Sequence, residues 1–161
     1  MSTYGYINAF NESVSAVTAT PSIPLGTRRF ELGNEYVYVY NIGTTAAVGY
    51  GVICSLNSGY SVTVSAALGD QAFGVIQNAS LTTEAYGWLL TRGFGKVQMG
   101  DTATGNTTAT TGQGFYPGAN GAFEPLTTGA TGSTWAYANA GFTLTTVNTG
   151  VSGSAYFKCI G

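Results

Sequence analysis

Aromatic and β-branched residues alternate in short runs along this chain, and turn-forming residues close each run within a few positions. In Tyr36-Val37-Tyr38-Val39-Tyr40, ended by Asn41-Ile42-Gly43, rings alternate with valines. That spacing predicts an interior strand with Val37 and Val39 on one face and the three tyrosines on the other. Residues 48–56 and 60–64 flank Asn57-Ser58-Gly59 and predict a hairpin. Residues 72–77, 87–90 and 93–99 predict three further short strands, the last closed by Gly100-Asp101, and residues 134–138, 141–147 and 155–160 complete the set. Only residues 13–19 and 81–86 resemble helical turns, and neither keeps a helical apolar period. The fold class is therefore all-β, a small β-sandwich or barrel.

Two stretches break the pattern. Residues 1–25 are dominated by Ser, Thr, Ala and Asn, and Pro21 and Pro24 bracket a segment that cannot donate to a ladder. They predict an extended N-terminal arm ordered only by a partner. Residues 26–161 then form a single β-domain. Within it, residues 102–121 are rich in Thr and Gly and nearly free of large aliphatics. This favours a protruding surface loop over a polar hairpin, in an insertion spanning residues 102–133.

Composition changes the picture by what is missing. The chain has no His, and 7% of its 161 residues are charged, with a net charge of −2; an ordinary soluble domain carries about 25% charged residues. The 44% hydrophobic content argues for folding, so low charge here is not a signature of disorder. Weak repulsion between copies instead suits a chain packed against other chains. Five Lys and Arg predict no basic face for nucleic acid and no polybasic membrane patch. No run approaches the roughly 20 apolar residues of a membrane span, and the first residues lack a signal-peptide pattern. Cys54 and Cys159 read as free thiols in a reducing cytosol, a bridge between them being the other reading.

Candidate chemistry is thin. A Ser-His-Asp triad needs a His, and the usual zinc sites need His or several Cys. Glu31 and Glu35 are close in sequence but flank the turn at Gly33-Asn34, where solvated carboxylates are ordinary. Asp70 and Asp101 each follow a glycine and read as turn residues. Arg92-Gly93-Phe94-Gly95-Lys96 superficially suggests a phosphate loop, but it continues as strand instead of opening a helix, so a bend or bulge explains it better. Three Asn-X-Ser/Thr sequons, at Asn11, Asn78 and Asn106, are expected by chance in a chain this rich in Ser and Thr. Trp88, Trp135, Tyr116 and Phe115 are aromatics that, if exposed, would stack on sugars or bases, although packing is the commoner use. The expectation is no enzyme, no cofactor and no metal.

Several segments carry a resemblance. Gly69-Asp70-Gln71-Ala72-Phe73-Gly74-Val75-Ile76, Tyr86-Gly87-Trp88-Leu89-Leu90 and Gly93-Phe94-Gly95-Lys96-Val97 resemble the head decoration, or capsid cement, proteins of tailed bacteriophages. Leu25-Gly26-Thr27 with the Tyr36–Tyr40 run is similar to that family's entry strand, and Tyr156-Phe157-Lys158-Cys159-Ile160-Gly161 to its final strand. The similarity covers residues 25–99 and the last strand, and residues 102–134 have no counterpart in it. It implies a jelly-roll-like or β-tulip-like domain bound to the outer capsid surface of the virion, after assembly in the host cytoplasm. The implied partners are the major capsid protein and the chain itself, as a homotrimer. Tyr4, Tyr6, Phe10, Pro21, Pro24, Arg28 and Arg29 are the expected capsid or inter-copy contacts. The rival expectation is a glycan- or receptor-binding module of the fibre or adhesin kind, using Tyr116 and Trp135; a major capsid or tail-tube protein and a hydrolase rank behind it.

Overall fold

The computed structural model describes residues 12–44, 46–64, 71–100, 108–126, 141–148 and 150–159. Its strands in chain order are β1 (Val17–Thr18), β2 (Arg28–Glu31), β3 (Asn34–Asn41), β4 (Ala47–Val48), β5 (Ile53–Leu56), β6 (Ser61–Val64), β7 (Gly74–Ile76), β8 (Ser80–Leu81), β9 (Tyr86–Gln98), β10 (Gly114–Pro117), β11 (Phe123–Pro125), β12 (Gly141–Thr143) and β13 (Ser152–Lys158). There is no α-helix among the described residues, and the fold is all-β, as the alternation predicts.

β9 is the spine. Leu89 pairs with Val37 of β3 on one edge and Ile76 of β7 on the other, and β7, β5, β6 and β3 pair in that order. These five strands therefore close a small barrel. Val37, Val39, Val52, Cys54, Ile76 and Leu89 are buried in it as one apolar cluster. Asn41 caps that interior: its Nδ2 donates to the carbonyls of Leu81 and Thr82, and its Oδ1 accepts from the Gly43 N–H. A buried amide with both ends satisfied costs little, whereas an unpaired one would cost about 1–3 kcal/mol.

Beyond the barrel, β9 pairs with β13, then β12, β10 and β11 follow, and a bridge from Phe123 to Met99 brings β11 back to the end of β9. This second ring packs around Phe115, Phe123 and Phe157, whose ring centroids lie 4.6, 5.6 and 5.8 Å apart. Its core runs on without a break into Tyr36, Tyr38, Trp88 and Leu90 on the outer wall of the barrel. Gly141 admits the packing, since a Cβ there would stand 1.9 Å from the Tyr156 carbonyl oxygen and 2.8 Å from the Phe115 ring.

Several expectations are corrected. The segments 87–90 and 93–99 are one strand, because Gly93 and Gly95 sit in the ladder opposite Phe157 and Ala155 instead of interrupting it. The irregularity lies one step earlier, where the pairing of Tyr36 with Leu90 and Glu35 with Arg92 leaves Thr91 as an extra residue. Residues 12–25 are ordered by the chain's own sheet and not only by a partner: Val17 and Thr18 pair with Gly87 and Tyr86, and Ile23 is buried in the core. Part of the expected 102–121 loop is strand β10, held because Phe115 alternates inward between Gly114 and Tyr116. Trp88 and Phe115 are buried core residues, not exposed platforms. Trp135 and the strand expected at 134–138 lie outside the described residues.

Both cysteines are free, as expected. Cys54 belongs to the barrel interior and Cys159 packs against the other core cluster. Burial pushes each thiol from its ordinary 9.0 up to about 12. The unfolded thiols ionise first, so the stability they contribute is complete below about pH 9 and is lost as pH rises toward about 12. Under native conditions at neutral pH the fully buried Cys54 should resist alkylation until the chain is denatured, while the partly buried Cys159 should label sooner; rapid native labelling of Cys54 would contradict its burial.

Candidate docking surface

Past the rim of the barrel, the side of the wall that lined its interior turns to solvent. Cross-strand pairs fix what stands there. Phe30, Glu35, Arg92 and Lys158 are successive partners across β2, β3, β9 and β13. In the next row Phe94 pairs with Tyr156 and Tyr156 with Phe142, with centroids 5.1 and 5.4 Å apart. Paired residues point to the same face, so these two rows form one surface roughly 20 Å wide across five strands. Phe30 is 71% exposed, Phe94 57% and Phe142 43%. Large apolar side chains at that exposure, side by side, mark an interaction site more often than chance.

The β2–β3 hairpin forms the leading edge of this surface. Its two turn residues, Leu32 and Gly33, both have positive φ, 50° and 83°. Such a turn suits Asn-Gly; a leucine in the left-handed region costs on the order of 1 kcal/mol. Leu32 nevertheless stands there 95% exposed. Asn34 fastens the hairpin to the aromatic row: its Oδ1 accepts from the Phe94 N–H at 2.7 Å and its Nδ2 donates to the Phe94 carbonyl at 3.0 Å.

Charge gathers on the same face. Arg28 shares it with Phe30 and is ion-paired to Glu35, while Arg92 flanks Glu35 from the other side. A side-chain hydrogen bond to Tyr156 holds the Arg92 guanidinium above its ordinary pKa. Lys96 follows Phe94 at the strand period and is exposed. Arg29 points the other way, to Glu31 at 2.9 Å and to the Glu12 carbonyl. The structure thus separates the two expected arginine contacts, one on each face of β2. It also separates Glu31 from Glu35, each on its own face with its own arginine, so they form no acid–base pair. Pro21 and Pro24 are exposed on the segment leading into β2. Tyr4, Tyr6 and Phe10 lie outside the described residues.

Tyr116 is half-buried, and its hydroxyl donates to Glu124 at 2.8 Å. Burial first, and that carboxylate second, push the phenol up to about 12. Among the described residues no cluster of His, Cys, Asp or Glu could hold a metal ion. Sequence reasoning missed Phe30, Leu32, Phe94, Phe142, Lys96 and Lys158 as surface residues. The signal for Phe94 was available: Arg92, Phe94 and Lys96 alternate with glycines at a strand's period of two.

No protein-family model matches this chain, and no curated protein matches it. Among solved structures, the N base of the head fiber gp8.5 of bacteriophage phi29 has a similar fold, with a TM-score of 0.50, 11% sequence identity, and a match covering 76% of this chain and 93% of that one.

Proposed function

We propose that this chain is a structural virion protein that binds the outer surface of an icosahedral phage head and stabilises contacts between capsid subunits, without catalytic activity, cofactor or metal. The fold likeness to a base segment of a phage head fiber carries the reading, since the match runs over nearly the whole of that segment. A low-charge surface and a broad exposed apolar face support it, because on a lattice many individually weak contacts are multiplied. The partners in this reading are the major capsid protein and further copies of the chain, as a homotrimer. Heads freed of the protein should bind it back in co-sedimentation and then resist heat-induced rupture better than bare heads. Heads that neither bind it nor gain resistance would rule the reading out.

Because the similar fold is the base of a head fiber, a second reading is a virion module whose task is attachment to a glycan or receptor. Tyr116, one of the residues expected to serve it, already spends its hydroxyl on Glu124. A glycan array separates the two readings: a capsid-stabilising protein shows no saccharide preference, and reproducible binding of one glycan class would favour attachment.

A further inference from the structure

The face carrying Phe30, Phe94 and Phe142 also holds Arg28, Arg92, Lys96 and Lys158, four of the chain's five basic residues. Its five strands contribute one carboxylate to it, Glu35, which lies between Arg28 and Arg92. Among the described residues charge is therefore sharply divided: this face carries these four cations and one carboxylate, and the rest carries Arg29 against Glu12, Glu31, Glu84 and Glu124. From this we infer that the face is a docking surface for an acidic protein surface of the phage head, with Leu32 entering an apolar socket at its edge. The inference rests on the head-binding reading and names the surface that performs it.

Three observations select this occupant. Two copies meeting through the same face would bring like charges together, which an isologous contact cannot relieve. An anionic polymer such as nucleic acid is held by many cations tracking its phosphates, whereas here large apolar groups interleave with only four. Large aromatics interleaved with arginine are instead the residues enriched at protein interfaces. Leu32 adds a separate argument. An exposed leucine held in a left-handed turn position gains no burial among the described residues, and such strain is retained where a partner uses the side chain.

The test uses the full chain, heads of the parent phage freed of it, and three variants: Leu32→Asn, the double exchange Phe94→Ser with Phe142→Ser, and the double exchange Lys96→Glu with Lys158→Glu. Each should bind the heads at least tenfold more weakly than wild type, and wild-type binding should weaken with added salt more than that of the lysine variant. Leu32→Asn guards against trivial unfolding, because asparagine tolerates the left-handed region; it should melt no lower than wild type while binding worse. If wild type binds and all three variants bind within about twofold of it, the face assignment is wrong and the head reading stands. If wild type does not bind, the head reading falls and takes the face with it. Two other results also overturn the assignment: a wild-type oligomer that the lysine exchange dissociates in light scattering, which makes a second copy the occupant, and retention on immobilised polyphosphate as tight as on heads.

Discussion

Replacing Val39 with Asp should lower unfolding stability by about 3 kcal/mol or more and shift the urea midpoint sharply downward. Val39 is fully buried inside the five-stranded barrel, in a cluster with Val37, Cys54, Ile76 and Leu89 that supplies no cation. A carboxylate placed there either stays ionised without a partner or takes up a proton and still lacks hydrogen bonds. Domains of this size are stable by only about 5–15 kcal/mol, so the loss is a large share of the total. An unchanged midpoint would mean that Val39 faces water and that the ring does not close as described.

A comparable effect is expected for Phe115→Ala, about 3–5 kcal/mol. Phe115 has no exposed surface and stands edge-on to both Phe123 and Phe157. Truncation removes the transfer energy of the ring and leaves a hole bounded by two other rings, which relax poorly because β10 holds Phe115 in register between β11 and β12. Phe115→Leu should recover part of the loss. Chemical denaturation of both variants decides it: a cost below about 1 kcal/mol for the alanine would show that the second ring is loosely packed.

These two positions also show what could be read from residues alone. Around Val39 the alternation of valine and tyrosine is unbroken, so strand, register and both faces were legible. Around Phe115 the neighbours are glycine, threonine and glutamine, and local composition argues for a loop; only pairing with β12, 26 residues on in the numbering from Phe115 to Gly141, makes it core. The same limit applies to β9. Glycines at 93 and 95 read as punctuation until β13, near the end of the chain, places Phe157 and Ala155 opposite them. The candidate surface was half legible. Arg28 stood out as a charged residue near the arm, but Phe94, Tyr156 and Phe142 come from three distant segments, and no local pattern joins them.

That β9 is shared by both rings has a consequence for a chain made from its N-terminus. Once residue 98 has left the ribosome, the barrel has every strand it needs and can close, with Val37, Ile76 and Leu89 brought together. The second ring has to wait for β13, whose last residue is Lys158. Until then one edge of residues 92–98 presents its backbone groups unpaired, with Phe94 beside them, which is the template on which neighbouring nascent chains pair wrongly. Arg92 and Lys96, on either side of Phe94, put like charges along that edge and so oppose such pairing during the interval. Two of the four basic residues that charge the finished surface would thus also guard it during synthesis.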